Sequence, residues 1–276
     1  MHREERTMTT IYLIRHAEAE GNVFRRIHGQ YDSCVTPNGR RQIAALAQRF
    51  AGIPVDAVYA SDLKRTCLTA TAIYRQKGLP LHRDARFREV GLGPWEDTPF
   101  GELERRYPAQ LHAFSHDSYH WYVEGAECFL QYVHRFLAGL DDVVRRHEGQ
   151  SIAIFSHGMV LRGALIELFF PGQDEGVSHS ENTAVTELHW ENGSYELISL
   201  NEEDVSLSAS FIRAQSKGKE RIIPLYPAAV KALSDYIKDV RPQLLADPEE
   251  TALFVNMNGE RMSRQGFWKI IKHYQE

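Results

Sequence analysis

Arg15 and His16 follow four apolar residues, Ile11-Tyr12-Leu13-Ile14, and open a polar turn, Ala17-Glu18-Ala19-Glu20-Gly21-Asn22. A second apolar run, Ile152-Ala153-Ile154-Phe155, ends in Ser156-His157-Gly158. Two histidines and an arginine at the ends of buried runs suit phosphoryl chemistry. A guanidinium offers planar, paired donors to phosphate oxygens. A neutral imidazole attacks through one ring nitrogen when a hydrogen bond holds the other. His157, if protonated, adds charge and a donor. Transfer from a monoester also needs an acid for the leaving alkoxide.

These residues need strands that stop where they begin. Each apolar run reads as a buried parallel strand, and open α/β sheets bind ligands at the carboxyl edge of such strands. Thr36-Pro37 marks a helix start, with Thr as N-cap and Pro at the first helical position. Ile43, Leu46, Ala47 and Phe50 then share one apolar face. Ala57–Ala60 reads as a short strand, with Ser61 capping a helix from Leu63 to about Tyr74. Leu130, Val133, Leu137, Leu140 and Val144 predict a long amphipathic helix, and a further helix is expected from Met159 to Phe170. Residues 184–190 and 195–200 flank Asn192-Gly193, a hairpin turn pair that should close one sheet edge. The alternation predicts an α/β fold with three α/β/α layers and a mainly parallel sheet.

Composition narrows the classes. The chain has 276 residues and a net charge of -5, which argues against a general nucleic-acid coat. The charge is uneven. Residues 206–276 carry 11 Lys and Arg against 8 Asp and Glu, and the preceding residues 21 against 29. Cys34, Cys67 and Cys128 are odd in number and widely spaced, as expected of reduced thiols in a cytoplasmic protein. No apolar run approaches the ~20 residues of a membrane span, and the polar start lacks a signal-peptide core. His112, His116 and His120 could share a helix face, but no clear ligand set accompanies them, so a polar cover segment is expected there. Ser156-His157 lacks the GxSxG setting of a serine hydrolase elbow.

Several ordered motifs resemble the histidine phosphatase superfamily, which includes phosphoglycerate mutases. They are Arg15-His16-Ala17-Glu18 with Asn22; His28-Gly29-Gln30-Tyr31-Asp32-Ser33 leading to Thr36 and Gly39; Ser61-Asp62-Leu63-Lys64-Arg65-Thr66; Arg88-Glu89-Val90-Gly91 through Trp95-Glu96; Gly125-Ala126-Glu127; and Ser156-His157-Gly158. The resemblance covers about residues 9–205 and implies a phosphoglycerate mutase-like fold. It implies His16 as the nucleophile that becomes phosphohistidine. Arg15, Arg65 and His157 would form the phosphate pocket, and Glu89 would donate a proton to the leaving group. Asn22 and the amide of Gly158 would line the pocket. Such a site needs no metal or other cofactor. Ala17 and Ala19 depart from the family's usual glycine and its usual threonine or serine. Ala17 adds a methyl near the expected phosphate, and Ala19 removes a hydroxyl.

The tail resembles Xer-like tyrosine recombinases of the phage integrase type. The likeness rests on Gln215 to Leu225, Arg241-Pro242-Gln243-Leu244-Leu245 and Met262 to Lys269. Lys217 would match the lysine of that family's β-hairpin. The segments that would carry the rest of its active site are missing, and Tyr274 is not at a matching motif. The expected organisation is therefore a phosphatase domain over residues 1–208 and a truncated, non-catalytic recombinase-like segment over 209–276. In the tail we expect a hairpin over 211–225, a helix from about 227 to 240, a strand at 253–255 and a last helix capped by Ser263.

The expected function is metal-independent hydrolysis of a small phosphorylated metabolite. The alternatives are mutase-type phosphoryl transfer, DNA binding through the tail, and a phosphate sensor with a degenerate site. The sequence names neither the substrate nor the oligomeric state.

Overall fold

A computed structural model describes residues 8–173, 177, 179–200, 205–206, 211–216, 219–224, 227–245, 250, 252–263, 266, 268–269 and 272. The chain divides into two compact units, Met1–Glu203 and Asp204–Glu276.

In the first unit the elements run β1 (Thr9–Arg15), α1 (Glu20–Phe24), β2 (Arg26–Ile27), α2 (Pro37–Arg49), β3 (Ala57–Ala60), α3 (Lys64–Lys77) and β4 (Leu81–Arg83). They continue with β5 (Thr98–Pro99), α4 (Phe100–Arg106), α5 (Pro108–His116), α6 (Phe129–Arg146), β6 (Ser151–Ser156), α7 (Gly158–Phe169), β7 (Val185–Glu191) and β8 (Ser194–Ser199). The main sheet has the order β4-β3-β6-β1-β7-β8. β4, β3, β6 and β1 are parallel, and β7 and β8 run antiparallel at one edge. The expected hairpin is that edge, with Asn192 and Gly193 both at positive φ.

The period-two alternation of β1 divides the core. Ile11 and Leu13 pack with residues of α6 and α7, while Ile14 joins Leu46 and Phe50 of the α2 region and Ala70 and Ile73 of α3. Helices on both sheet faces complete the three layers. β3 and β6 are buried along their whole length, as central parallel strands require. Because β6 lies between β3 and β1, all three deliver their carboxyl ends to one edge.

Local details sharpen several expectations. Thr36 caps α2, its hydroxyl accepting from the Gly39 amide at 2.9 Å. In α6 Val133, Leu140 and Val144 face inward as expected, joined by Phe129, Phe136 and Val143, while Leu137 is only partly buried and Leu130 is 50 % exposed. Ser61 does not cap α3. That helix starts at Lys64 after Leu63, without a side-chain cap.

In the second unit β10 (Phe211–Ser216) pairs with β11 (Lys219–Pro224) and with β9 (Val205–Ser206), so the expected hairpin has a third strand. The helix expected over about 227–240 is α8 (Pro227–Asp235) followed by a π-helical turn at Tyr236–Val240, and α9 (Arg241–Leu244) continues beyond it. Residues 253–255 contribute only an isolated bridge, Val255 to Arg261. Ser263 Oγ accepts from the Gly266 amide at 3.1 Å, as a cap would. Lys217 and Tyr274 lie outside the described residues. Among the described residues no helix is long and apolar enough to cross a membrane.

Gly39 is where the fold meets the functional turn. A Cβ there would lie 2.2 Å from the Glu18 carbonyl oxygen and 2.6 Å from Val35 Cγ1. Gly101 on α4 has nothing within 4 Å of its virtual Cβ. Gly39→Ala is therefore expected to lower the thermal midpoint, since overpacking costs about 1–3 kcal/mol. Gly101→Ala should leave it unchanged or raise it, by up to about 1 kcal/mol. Melting both variants by circular dichroism checks the contrast.

Candidate active site

His16 leaves β1 at the carboxyl edge and is 6 % exposed. Its Nδ1–H donates to the Ala17 carbonyl at 2.8 Å. A carbonyl only accepts, so the proton sits on Nδ1 and Nε2 keeps its lone pair. Burial, joined by the guanidiniums of Arg65 and Arg15, pushes His16 well below the ordinary histidine value. The turn is held from several sides. Thr69 Oγ1 on α3 accepts from the Ala17 amide at 2.9 Å. Glu18 accepts from Thr36 and Asn38 at the start of α2, and its amide donates to Gln42. Asn182 Nδ2 donates to the His16 carbonyl at 2.9 Å.

Arg65, in the first turn of α3, is 2 % exposed. Its Nη2 and Nη1 donate to the carbonyls of Gly29 and Tyr31 at 2.6 and 2.7 Å, and its Nε to His157 Nδ1 at 3.2 Å. Burial brings its pKa down to about 10, against the pull of Glu89. Arg15 is also lowered by burial, with Glu89 and Glu181 opposing. Arg15 Nη1 donates to the Ser180 carbonyl, and its Nε has no partner although buried. The bare Cα of Gly158 lets that guanidinium pass: a Cβ would meet Arg15 Nε at 3.3 Å.

Glu89 sits on the start of α7. Its Oε1 accepts from the amides of Val90 and Val160, and its Oε2 from Met159 at 3.1 Å. A helix N-terminus is a natural seat for a carboxylate. Arg135 of α6 braces this segment by donating to the carbonyls of Arg86, Arg88 and Glu89 while pairing with Glu127.

Arg15, His16, Asn22, Arg65, Glu89 and Gly158 all line one cleft of about 560 Å³. The lining also includes Arg25, Arg26, Phe100, Phe114 and Ser115. Ala19 lines it too. Ala17 is fully buried and outside the lining, so its methyl is not on the cleft surface. Asn22 spends its side-chain oxygen on the Ala19 amide at 2.9 Å.

His157 is placed differently from the expectation. It is 0 % exposed and lies behind the cleft wall, its ring centroid 5.2 Å from that of His16. Burial, then Arg65, lowers its pKa well below the ordinary value, so without a bound anion it is neutral.

Sequence reasoning missed Ser61, Thr69, Arg135 and Asn182 as parts of this site. Ser61 was read as a helix cap, yet its Oγ lies 2.7 Å from His157 Nε2. The others carry no local signal, because their partners are distant in sequence. His112 and His116 stack on α5 with centroids 4.5 Å apart, and His120 bonds Asp117. Among the described residues no group of three His, Cys, Asp or Glu could hold a metal ion.

Two family models match the chain. The model of the histidine phosphatase superfamily (branch 1) matches residues 11–203, and that of the phage integrase family residues 181–276. Phosphoserine phosphatase 1 of Hydrogenobacter thermophilus is 28 % identical over 195 residues, covering 70 % of this chain and 92 % of that protein. Tyrosine recombinase XerD of Staphylococcus epidermidis is 52 % identical over 80 residues, 29 % of this chain. The chain spans only 27 % of that recombinase's length. Among solved structures, Bacillus stearothermophilus YhfR aligns with a TM-score of 0.68 at 28 % identity, covering 71 % of this chain and 98 % of its own. A phosphoglycerate mutase from Bacillus anthracis aligns at 0.63 with 22 % identity, over 72 % of this chain and 96 % of its own, and shares the fold.

Glu96 holds the loop that engages Arg65. Its carboxylate accepts from the amides of Gln30, Tyr31 and Leu92 at 3.0, 2.7 and 2.9 Å. Hydrogen bonds to a charged group contribute about 1.5–3 kcal/mol each, and a loosened loop should cost at least one of them. Glu96→Ala is expected to weaken inorganic phosphate binding by about tenfold, the equivalent of 1.4 kcal/mol. Titration calorimetry reads it, and unchanged affinity would separate this loop from Arg65.

Proposed function

The chain belongs to the histidine phosphatase superfamily, and from that premise we propose that it hydrolyses a small phosphorylated metabolite through a phosphohistidine on His16. The observation that carries this reading is the tautomer of His16. Its Nδ1–H is committed to the Ala17 carbonyl, which leaves a lone pair on Nε2 beside Arg15 and Arg65.

The steps follow from the groups in the cleft. Arg15 and Arg65 hold the phosphoryl oxygens, with the Asn22 amide and the start of α7 at Gly158 beside them. Nε2 of His16 attacks phosphorus as the ester P–O bond breaks. Glu89 gives its proton to the departing alkoxide. The same carboxylate then takes a proton from water, which attacks the phosphohistidine, breaks the P–N bond and restores His16. Charge on the transferring group is met by two guanidiniums, so these steps run without a metal ion or organic cofactor.

The cleft far exceeds the space a phosphoryl group needs, so the outer residues Arg25, Phe100, Phe114 and Ser115 meet the leaving group. Phosphoserine is one candidate substrate, given the name of the relative. We read residues 209–276 as a recombinase-derived segment that takes no part in this chemistry, and the protein as cytoplasmic.

Phosphate release from an aryl phosphate, phosphoserine and a wider metabolite panel tests the proposal. His16→Ala should reduce turnover by at least about 10³-fold, as loss of a covalent nucleophile does. Retained turnover would refute the nucleophile. Isomerisation of 3-phosphoglycerate in the presence of its bisphosphate, without phosphate release, would make the enzyme a mutase instead. Ligand binding without turnover would make it a sensor.

The lowered pKa of His16 sets the pH dependence. Protonation on Nε2 removes the nucleophile, and this group protonates only well below 6.5. With substrate ionisation divided out, kcat/KM should hold its value down past pH 6.5 before it falls. An acid limb above that value would contradict the assignment. The full chain should not retain DNA at low salt; salt-sensitive binding would give the tail a function of its own.

A further inference from the structure

A second recess of about 360 Å³ opens beside α2 and α3. It shares no lining residue with the cleft of His16. Consecutive residues of the loop before α2 reach both: Ser33 lines the cleft, and Cys34 lines the recess.

Arg40, Lys64 and Arg75 also line the recess, and no Asp or Glu does. Lys64 reaches Asp32 only at 3.7 Å. Among the described residues neither Arg40 nor Arg75 has a carboxylate partner, and Arg75 lies 6.0 Å from the ring centroid of its neighbour Tyr74. Val35, Leu68 and Tyr74 add apolar surface. Three cations around a partly apolar hollow suit a small anionic molecule with an uncharged middle.

Two thiols complete the recess, and they differ. Cys67, on α3, donates its S–H to the Ser61 carbonyl at 3.3 Å. Burial pushes this thiol up, with Arg83 opposing and Asp62 and Asp32 adding to it. A thiol that keeps its proton is a poor nucleophile. Cys34 is exposed. It is held by its backbone: its amide donates to the Glu20 carboxylate at 3.3 Å, and its carbonyl accepts from the Glu20 amide at 3.0 Å. Among the described residues nothing bonds its sulfur, which is left free to react.

We propose that this recess binds a small disulfide bearing carboxylates, and that Cys34 takes up one half of it as a mixed disulfide. The Cys34 thiol first gives its proton to solvent. Its Sγ then attacks one sulfur of the bound disulfide, a new S–S bond forms and the original one breaks. The departing half leaves as a thiolate and takes a proton from solvent. Cys34 is oxidised, and the departing half is reduced. Arg40, Lys64 and Arg75 hold the carboxylates and so favour an anionic reagent over a cationic one. Cys67 stays a thiol, so no internal disulfide displaces the adduct. The inference does not rest on the phosphatase reading.

Three symmetric disulfides of similar size test it on the full chain at one fixed pH. Dithiodipropionate is anionic, hydroxyethyl disulfide neutral and cystamine cationic. Uptake is followed by intact mass and peptide mapping, and each rate is divided by that reagent's rate with free mercaptoethanol. On this scale dithiodipropionate should exceed cystamine by about tenfold or more at low salt, with the neutral reagent between them. The gap should close as salt rises. One adduct should form, at Cys34. Cys34→Ser should abolish it, and Cys67→Ser should leave it unchanged. Arg40, Lys64 and Arg75 are exposed, so the triple variant Arg40→Gln, Lys64→Gln, Arg75→Gln should keep its circular dichroism spectrum. Its three normalised rates should converge.

Equal normalised rates in the unaltered chain would overturn the proposal. So would first uptake at Cys67 or Cys128, or an internal disulfide between Cys34 and Cys67. A charge preference that survives in the folded triple variant would take the cations out of the site and overturn it as well.

Discussion

A guanidinium buried beneath the cleft without a carboxylate bonded to it is the constraint on which the site depends. Arg65 is held by two backbone carbonyls and an imidazole nitrogen, neutral acceptors that leave its charge in place. Burying a charge without a paired counter-charge is costly. The surroundings explain how the fold sustains it. Gly29 and Tyr31 present their carbonyls because Glu96 holds the amides of Gln30 and Tyr31. Gly29 takes a positive φ there, and a Cβ at that position would strike Glu96 Oε1 at 2.4 Å. Arg65 itself is fixed by the start of α3, where Asp32 accepts from the Lys64 amide at 2.7 Å. A cation kept short of a counter-charge is a standing demand for an anion, and the cleft is where one can enter.

The same logic orders the rest. Glu89, the proposed proton donor, faces the two arginines and is tied to backbone amides at the start of α7. Arg135 is kept out of the cleft by Glu127 and by three carbonyls of the 86–89 segment.

Much of this was legible in the sequence, and the rest was not, for physical reasons. His16 and His157 announce themselves because an apolar run broken by a basic or aromatic polar residue marks a strand end, and central parallel strands end at one edge. Arg65 and Glu89 were legible through ordered motifs more than through local pattern. Ser61 was misread because a serine ahead of a helix looks the same whether it caps that helix or bonds a ring 96 residues away. Leu130 was misread because adjacent residues on a helix differ by only about 100°, and Phe129 competes for the same stripe. Asn182 and the Ser180 carbonyl lie in a connection with no periodicity to read. The π-helical turn at Tyr236–Val240 lies within an apolar pattern that continues through it.

The two-stranded pair β2–β5 bears on how such a protein diversifies. It joins Arg26 and Ile27, beside the loop that engages Arg65, to Thr98 and Pro99, which lead into α4 and α5. Phe100, Phe114 and Ser115 on those helices line the cleft but supply none of the reacting groups. The same helices pack into the core through Leu103, Tyr107 and Phe114, the last two against Trp95. Changing Phe100, Phe114 or Ser115 would therefore reshape the cleft while leaving His16, Arg65 and Glu89 on the elements that hold them.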